Sequence, residues 1–429
     1  MKIFKFGGAS VKDADSVKNV CRILKSFAGD QIITVISAMG KTTNALESVV
    51  NAYMNKESTA HDLLKNVKSF HTNIMEDLFA DPHHPVYESV NNLFVEVDWV
   101  LEEPQRDYDF IYDQIVSVGE LVSTRIVSAY LNEHGVANSW FDIRDALHTD
   151  NNYRDANVNW EISEKSVNIK LLPVITKTNP IIITQGFIGI TSENYTTTLG
   201  REGSDYTASI LAYLTKAEAV YIWKDVPGVL NADPKYFSDA QKLEQISYLD
   251  AIELAYFGAS VIHPKTIKPL ENKGIPLYVK SFVTPESKGT LIGKDIETKP
   301  LIPSFIFKNK QVLISISAKD FSFIAEESLS SIFATFARHG IKMNLMQNSA
   351  ISFSVCSDDD PLNFPGLIED LKKDFKVLYN KDLQLYTIRH YYPSTIEKLA
   401  NGRDILLEQR SRTTAQLVMK QMEPSGDNT

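Results

Sequence analysis

The sequence has 429 residues, of which 43% are hydrophobic and 23% charged, and its formal net charge is −10. This length allows two or three domains with their own cores, and the acidic balance argues against a nucleic-acid surface or a basic membrane patch. Only Cys21 and Cys356 are present, which excludes a disulfide framework or a cysteine metal cluster and fits a reducing cytosol. No apolar run approaches the ~20 residues of a membrane-spanning helix.

The first forty residues predict a strand, a helix and a second strand. Apolar residues alternate from Lys2 to Phe6 and stop at Gly7-Gly8, which indicates a strand rather than a signal peptide. Apolar positions at helical spacing follow from Val17 to Phe27. The nearly continuous apolar run from Gln31 to Ala38 is typical of a strand buried on both faces. This order predicts a parallel sheet with helices on both sides.

The segment from Thr42 to Glu103 is predicted to be mainly helical, with a break at 81–85. The next helix, predicted over Tyr108 to His134, is apolar almost all round and should be buried. It nevertheless carries Glu120, and a carboxylate in that setting needs a partner because an unpaired buried charge is costly.

A glycine-bracketed turn, Leu199 to Gly203, is predicted to follow a β-hairpin and to lead into a helix. Ser204 is a suitable N-cap and Asp205 suits the positive end of the helix. Free N–H groups at such an end favour anions, and the neighbouring Arg201 can hold a carboxylate or phosphate with two parallel hydrogen bonds. Taken alone, the stretch is equally consistent with an ordinary capped helix after a polar loop.

The remaining elements are predicted from periodicity and from glycine and proline positions. Strands are predicted at 139–143, 172–175, 180–191, 219–226 and 276–282, with helices at 248–258 and 264–273. Charge and proline near 293–303 indicate a linker. Beyond it the predicted order is strand 312–317, helix 328–339, strands 343–348 and 351–356, helix 361–375, and strands 383–391, 405–411 and 414–419. This is a small α+β module with part of a second copy.

Several motifs, taken together, resemble those of the aspartate kinases, members of the amino acid kinase family. The motifs are Lys5-Phe6-Gly7-Gly8-Ala9-Ser10, Ser37-Ala38-Met39-Gly40, Gly119-Glu120, Leu199-Gly200-Arg201-Glu202-Gly203-Ser204-Asp205, Trp223-Lys224-Asp225-Val226-Pro227-Gly228-Val229 and Phe257-Gly258-Ala259-Ser260-Val261-Ile262-His263-Pro264. They occur in that family's order and spacing, and they cover the chain to about residue 295. The remainder is similar to the regulatory ACT region of the same enzymes.

The resemblance implies an α/β amino acid kinase fold, a mainly parallel open sheet sandwiched by helices, for a catalytic domain at 1–295. It further implies a linker at 296–310 and an α+β, ferredoxin-like ACT domain at 311–382. A truncated second ACT-like unit is expected at 383–420, with too little helix between Tyr391 and Ile405, and a disordered tail at 421–429.

The implied reaction converts ATP and L-aspartate into ADP and 4-phospho-L-aspartate, the first step towards lysine, threonine and methionine. The attacking carboxylate has an ordinary pKa of about 3.9, so it is ionised at neutral pH and needs no general base. Catalysis should then depend on positioning and on positive charge at the phosphoryl oxygens, to which Mg²⁺ contributes. A cytoplasmic enzyme without nucleic-acid or membrane partners is expected.

The resemblance also implies roles for particular residues. Lys5 and Asp205 would be catalytic, Arg201 would hold the α-carboxylate of aspartate and Glu120 its ammonium. The other substrate-binding residues would be Ser37, Thr43, Phe187 and Ser204, and the ATP-binding set would be Lys5, Gly7, Gly8, Ser10, Lys224, Asp225, Leu230, Lys235, Ser260, Val261 and Lys265. No side-chain metal ligand is expected.

Each role has a structural alternative. Lys5 could be a solvated edge lysine, and Asp205 could serve only as a helix cap. Glu120 could form a structural ion pair with an internal arginine such as Arg125. The hydroxyls of Ser37 and Thr43 could be ordinary turn groups.

Three residues depart from the family's pattern. Ala9 replaces a usual threonine, and Glu202 replaces a usual glycine, which adds a Cβ and negative charge to the turn. Ser260 stands where better-known relatives carry a lysine on the phosphates, a loss that could cost several kcal/mol of transition-state stabilisation. Lys265 or Lys224 is hypothesised to supply the missing charge.

In the ACT-like region, the resemblance assigns Asn344, Asn348 and Ser349 to an effector site for lysine or threonine. The segment from Ile324 to Leu329 lacks the family's pattern for lysine, so the module could instead serve only dimerisation. Apolar edge strands predict a homodimer or larger homo-oligomer. The alternatives to aspartate kinase are a kinase of glutamate, acetylglutamate or a nucleotide, and a non-catalytic amino-acid sensor.

Overall fold

The computed structural model describes residues 1–259, 262–294, 296, 301–320 and 322–420. The chain divides into two compact units. The first contains Met1–Val229, Lys242–Ile252 and the described residues of 262–296, and the second contains Leu230–Gln241, 253–259 and the described residues of 301–420. None of the helices that these residues form is long and apolar enough to cross a membrane.

A mainly parallel sheet forms the centre of the first unit. The strands of this unit are β1 Lys2–Phe6, β2 Ile32–Ile36, β3 Asn138–Phe141, β4 Ile181–Gln185, β5 Ile188–Ile190, β6 Thr196–Thr198, β7 Ala219–Lys224, β8 Gln245–Ser247, β9 Leu277–Ser281 and β10 Thr290–Gly293. Eight of them form the sheet in the order β3-β4-β2-β1-β7-β9-β10-β8. All neighbours are parallel except β9 and β10, so the predicted mainly parallel sheet is confirmed.

Helices cover this sheet. They are α1 Ala14–Lys25, α2 Thr42–Met54, α3 Ala60–Leu78, α4 Pro85–Glu102, α5 Tyr108–Val116, α6 Val118–Glu133, α7 Trp160–Ser166, α8 Gly203–Thr215, α9 Tyr248–Phe257 and α10 Pro264–Lys273. The side chains of β2 and β4 are buried throughout, as the continuous apolar runs predict. α9 begins in the first unit and ends in the second.

Three predicted elements differ from the structure. The helix predicted from Tyr108 to His134 is divided at Ser117, whose hydroxyl donates to the carbonyl of Gln114 and competes with the helical ladder. The strand predicted at 172–175 is a 3-10 helix at Leu172–Val174, because proline suits the first turn of a helix. The strand predicted at 180–191 is divided into β4 and β5, because Phe187 has a positive φ of 71° and redirects the chain into the β5–β6 hairpin.

The second unit contains an antiparallel sheet. Its elements are β11 Ser304–Ala318, α11 Glu326–Arg338, β12 Met343–Asn348, β13 Ser352–Asp358, α12 Phe364–Asp374, β14 Phe375–Arg389, α13 Pro393–Ala400, β15 Ile405–Arg410 and β16 Thr414–Lys420. The strand order is β12-β13-β11-β14-β16-β15. The sequence β11-α11-β12-β13-α12-β14 has the predicted ferredoxin-like βαββαβ order, and apolar residues of β11, α11 and α12 share one core.

β11 and β14 are long because each takes part in two modules. Their pairing shifts register near Gln311, between a segment from Ser304 to Lys308 and one from Leu313 to Ala318. The second part of β14 continues into α13, β15 and β16, and the first part of β11 lies beside it on the opposite edge. Between Tyr391 and Ile405, where too little helix is expected, the structure has one helix of eight residues, α13 Pro393–Ala400, and the truncated second unit stays a prediction. β11 begins at Ser304, inside the segment predicted as a linker.

Candidate active site

A cavity of about 470 Å³ lies at the carboxyl edge of the parallel sheet. Ligands of open α/β sheets bind at this edge because the loops after parallel strands meet there. It is lined by Lys5, Ser37, Thr43, Tyr112, Glu120, Arg154, Phe187, Gly200, Arg201, Glu202, Gly203, Ser204, Asp205 and Lys224. The cavity therefore brings together all six residues predicted to bind the amino acid, the two predicted to be catalytic, and Lys224.

Two lysines surround one carboxylate at the floor of the cavity. Lys5 Nζ lies 2.6 Å from Asp205 Oδ1, and Lys224 Nζ lies 3.6 Å from Asp205 Oδ2. Lys5 is only 8% exposed and Asp205 only 3%, so Lys5 is not a solvated edge lysine. Burial alone would raise the pKa of Asp205, but the two ammonium groups outweigh it and hold that pKa below its ordinary value. The cluster has more positive than negative charge.

The N-terminus of α8 differs in detail from the prediction. The helix starts at Gly203, so Glu202 is the N-cap residue and the prediction that Ser204 caps the helix is wrong. Glu202 adopts a left-handed conformation with φ 55°, the region in which glycine is favoured. Its Oε2 accepts a hydrogen bond of 3.0 Å from the backbone N–H of His263. Asp205 lies in the first turn, as predicted.

Glu120 provides a second buried carboxylate in the lining. The residue is 2% exposed, and its Oε1 accepts a hydrogen bond of 3.2 Å from the backbone N–H of Ala38. Its Oε2 has no hydrogen-bond partner among the described residues. Burial raises the pKa of Glu120 to about 8. The alternative ion pair with Arg125 is not formed, because that guanidinium lies over the Trp140 ring, 3.3 Å from its centre.

The predicted glycine loop lies beside the cavity rather than in its lining. A Cβ on Gly8 would lie 2.8 Å from the carbonyl oxygens of Ala38 and Gly40, so only glycine allows the loops after β1 and β2 to pack this closely. Gly40 N–H donates to the Gly8 carbonyl at 3.0 Å. Gly7 adjoins the Lys5 ammonium. Ser10 is buried, and its hydroxyl donates to the carbonyl of Trp223.

Other residues predicted to bind the nucleotide lie outside this cavity. Asp225 is exposed directly after β7, and Leu230 and Lys235 belong to the second unit. Ser260 and Val261 lie outside the described residues. Their assignment stays a prediction from the resemblance.

The two lysines hypothesised to replace a missing charge have different surroundings. Lys224 ends β7, lines the cavity and approaches Asp205. Lys265 is in the first turn of α10 and forms an ion pair with Asp155 outside the lining. The arrangement favours Lys224 for this role.

The residues predicted to bind an effector belong to the second unit. Asn344 is engaged internally, since its Oδ1 accepts from Lys308 Nζ at 2.8 Å and its Nδ2 donates to Asp358 at 3.0 Å. Asn348 and Ser349 are exposed at the end of β12. These latter two are the accessible members of the predicted set.

Five residues of the lining were not predicted to bind a ligand: Gly200, Glu202 and Gly203 belong to the predicted turn, whereas Tyr112 and Arg154 lie in no motif. The Arg154 guanidinium lies 4.4 Å from the centre of the Tyr112 ring and pairs with Asp109 at 3.3 Å. Its backbone has a positive φ of 67°, and its N–H donates to Asp113 at 3.0 Å. An acid in an apolar helix was the signal that identified Glu120, and the same signal marks Asp113.

Asp113 connects this wall to the β5–β6 hairpin. Its carboxylate accepts from the backbone N–H of Thr198 at 2.9 Å and from the Thr198 hydroxyl at 2.7 Å. Burial nevertheless raises its pKa to about 6. Because Thr198 directly precedes the turn that carries Arg201, Asp113 fixes the end of the strand from which that turn begins.

Comparisons with known proteins agree with one another. The model of the amino acid kinase family matches residues 1–281. The lysine-sensitive aspartokinase 3 of Escherichia coli (strain K12) is 32% identical over 359 residues, which are 83% of this chain and 78% of that protein. Two crystal structures of E. coli aspartokinase III are 28% identical and cover 98% of this chain. The T-state complex with lysine and aspartate has a TM-score of 0.82, and the match covers 95% of its chain. The R-state complex with aspartate and ADP has a TM-score of 0.80, and the match covers 96% of its chain.

The Asp113 contact predicts a difference between two neighbouring buried threonines. Thr198→Val removes a hydrogen bond to a carboxylate, worth about 1.5–3 kcal/mol, whereas Thr197→Val removes a hydroxyl pair with Thr149 worth about 0.5–1.5 kcal/mol. Thr198→Val should therefore lower the melting temperature more at pH 7.5, as measured by scanning calorimetry.

The stability difference between Thr198→Val and the parent should change in a definite direction when the pH is lowered to 5. The folded-state pKa of Asp113 lies above its ordinary value, so the folded state binds the proton first and gains stability as pH falls through about 6. Loss of the Thr198 hydroxyl raises the pKa of Asp113 further, so Thr198→Val gains more stability than the parent as the pH falls. The difference in melting temperature between the two proteins should therefore be smaller at pH 5 than at pH 7.5. An equal difference at both pH values would contradict the assignment of this titration to Asp113.

Proposed function

This chain belongs to the aspartokinases of the amino acid kinase family, and we propose that its cavity transfers the γ-phosphoryl group of ATP to the side-chain carboxylate of L-aspartate. The observation that carries the proposal is a cavity holding two opposed charge arrangements. On one wall Glu120 Oε2, which has no hydrogen-bond partner among the described residues, can accept an ammonium group. On the floor, the ammonium groups of Lys5 and Lys224 lie beside Asp205, and such groups suit phosphoryl oxygens.

The amino-acid substrate fits the first arrangement. Its ammonium would bind Glu120, and its α-carboxylate would bind Arg201, which lines the cavity beside the start of α8. The hydroxyls of Ser37 and Thr43 and the ring of Phe187 line the same space. The side-chain carboxylate then extends towards Lys5.

The reaction needs no proton transfer. An oxygen of the ionised aspartate side chain forms a bond to the γ-phosphorus, the bond from that phosphorus to the bridging oxygen breaks, and ADP leaves with the electron pair. Lys5 and Lys224 would neutralise charge on the phosphoryl oxygens. Asp205 would hold both ammonium groups in position, because its two oxygens each face one of them.

We propose that Mg²⁺ enters with ATP. No group of three or more His, Cys, Asp or Glu side chains in the described part of the chain could hold a metal ion. The carboxylate of Asp205 already faces two ammonium groups. Mg²⁺ is commonly bound by phosphates and water with few protein ligands, and it supplies charge neutralisation to the triphosphate.

We also propose regulation by lysine or threonine at the ACT-like sheet, a homodimer or larger homo-oligomer, and a cytoplasmic location. The E. coli structure that contains lysine supports an amino-acid effector. In this chain Asn348 and Ser349 are the exposed residues of the predicted effector segment.

The function is tested by measuring ADP formation from ATP and Mg²⁺ with L-aspartate, L-glutamate, N-acetylglutamate or UMP as acceptor, with hydroxylamine trapping of acyl phosphate. Aspartate should be the preferred acceptor by kcat/KM. Preference for another acceptor would establish a different amino acid kinase, and no turnover with any of them would support a sensor.

Glu120 predicts the pH dependence of aspartate binding. Its carboxyl group is protonated below a pKa of about 8 and cannot then pair with an ammonium group. The KM for aspartate should fall roughly 10- to 30-fold from pH 6.5 to 8.5, since protonation competes about tenfold per pH unit below the pKa. Glu120→Gln should show a high KM with no such slope. A parallel slope in the variant would assign the titration to another group.

Substitution of Lys224 and of Lys265 should lower kcat by different amounts. Lys224→Met should lower kcat by about 10²–10³-fold, because it removes a cation from the cavity floor. Lys265→Met, the matched control, should stay within a few-fold of the parent because its ammonium pairs with Asp155 outside the lining. The kcat of each variant is measured by steady-state kinetics at saturating ATP and aspartate. A larger loss of kcat in Lys265→Met than in Lys224→Met would indicate that Lys265 supplies the charge.

The effector proposal predicts inhibition by one amino acid. Activity should fall when lysine or threonine is titrated to a few millimolar, and Asn348→Ala should weaken that inhibition without changing uninhibited kcat. Lys376→Ala, another exposed position on a strand of the same sheet, is the control. Absence of inhibition by either amino acid would indicate that the sheet serves only to assemble the oligomer.

A further inference from the structure

Thr207 is a fully buried residue of α8 to which the sequence motifs assign no role. It is 0% exposed. Its hydroxyl oxygen accepts a hydrogen bond of 2.9 Å from the backbone N–H of Phe187, and its hydroxyl proton is donated to the carbonyl of Gly203 at 3.0 Å. A hydroxyl has one proton to donate and two lone pairs to accept with, so both bonds are made at once. The Thr207 side chain therefore joins α8 to the segment between β4 and β5.

Phe187 has a backbone conformation that a residue with a bulky side chain seldom adopts. Its φ of 71° lies in the left-handed region. Such a conformation persists only where the surrounding structure fixes it. Both backbone polar groups of Phe187 are held, because its N–H donates to Thr207 and its carbonyl accepts from the N–H of Leu199 at 2.8 Å. The bond to the N–H comes from a side chain, so a substitution can remove it.

Two glycines let the segment around Phe187 pack directly on the first turn of α8. A Cβ on Gly203 would lie 2.6 Å from Cδ2 of the Phe187 ring, and a Cβ on Gly186 would lie 2.5 Å from Cβ of Ser204. Phe187 and Ser204 both line the cavity. A movement of Phe187 away from Thr207 would therefore displace a ring of the cavity wall and disturb its contact with the start of α8.

We propose that Thr207 is a positioning residue for the amino-acid half of the cavity. By accepting the Phe187 N–H, it holds Phe187 in its left-handed conformation. The ring then stays at the cavity wall, and the Phe187 carbonyl stays on Leu199, where the turn that carries Arg201 begins. The proposal rests on the proposed function, since it concerns the binding of aspartate at that wall. Thr207 is buried behind the wall, touches no substrate and is not catalytic.

The test compares two threonines of α8 that form the same bond within the helix. Thr215 also donates its hydroxyl to the carbonyl four residues earlier, that of Leu211 at 2.7 Å, but it accepts no hydrogen bond from another described element. Thr215→Val is therefore the matched control for Thr207→Val, which removes the hydroxyl and keeps the shape.

Thr207→Val should raise the KM for aspartate about tenfold, with kcat and the KM for ATP within about threefold, because a misplaced binding group weakens ground-state and transition-state binding alike. Thr207→Ser retains the hydroxyl and should keep the KM for aspartate close to that of the parent. Thr215→Val should lower the melting temperature and leave this KM unchanged.

A double variant shows whether Thr207 acts through Phe187. Residues that act through one contact have non-additive effects. The increase in the KM for aspartate in Thr207→Val/Phe187→Leu should therefore be smaller than the product of the two single increases. An increase equal to that product would mean that the two residues act independently, which would overturn the proposal.

Two further outcomes would also overturn the proposal. If Thr207→Val leaves the KM for aspartate unchanged, as Thr215→Val should, or if Thr207→Ser raises it as much as Thr207→Val, then Thr207 is only a core residue. Where Thr207→Val does not fold, Thr207→Ala and Thr215→Ala provide the same comparison. A parent without aspartate turnover would refute the proposed function and this inference with it, whereas an active parent whose two valine variants behave alike would refute the inference alone.

Discussion

The pairing of Asp205 with Lys5 and Lys224 is the interaction on which the rest of the site depends. The three charges come from α8, β1 and β7, so each of these elements must meet the others before the charges are compensated. Removing Asp205 would leave the buried ammonium group of Lys5 without this partner, which is destabilising. The same three residues are those to which the proposed function assigns the phosphoryl group. In that proposal, one contact joins the three elements and also positions the two ammonium groups.

Glu120 and Asp205 are similarly buried, but their pKa values shift in opposite directions. Asp205 has two cations beside it and a lowered pKa. Glu120 accepts the Ala38 N–H, has one oxygen without a partner among the described residues, and is affected more by burial than by Lys5, so its pKa is raised to about 8. A buried acid in this state is costly to the free protein. A bound ammonium group would relieve that cost, which supports the proposed binding of the substrate ammonium at Glu120.

The sequence predicts well what depends on local pattern and on motif order. The mainly parallel sheet and the α+β module follow from periodicity and from glycine-bounded strand ends. The presence of Lys5, Glu120, Arg201 and Asp205 in one cavity is implied by the resemblance of their motifs to those of the aspartate kinases. Contacts between distant segments could not be predicted, because no local pattern encodes them. Arg154 reaches the cavity from an irregular loop, Lys265 is diverted to Asp155 and Thr207 binds the N–H of Phe187 from another element.

Glu202 illustrates how such a distant contact changes the meaning of a residue. In the sequence it is an unfavourable replacement for glycine, and its φ of 55° confirms that the backbone there suits glycine. The left-handed conformation costs about 1–2 kcal/mol. However, its carboxylate accepts the N–H of His263 at 3.0 Å, and a hydrogen bond to a charged group contributes about 1.5–3 kcal/mol. The two terms offset each other, so glutamate is tolerated in this turn because it ties the start of α8 to the residue that precedes α10. Its Oε2 is thereby directed at a backbone donor, although the residue also lines the cavity.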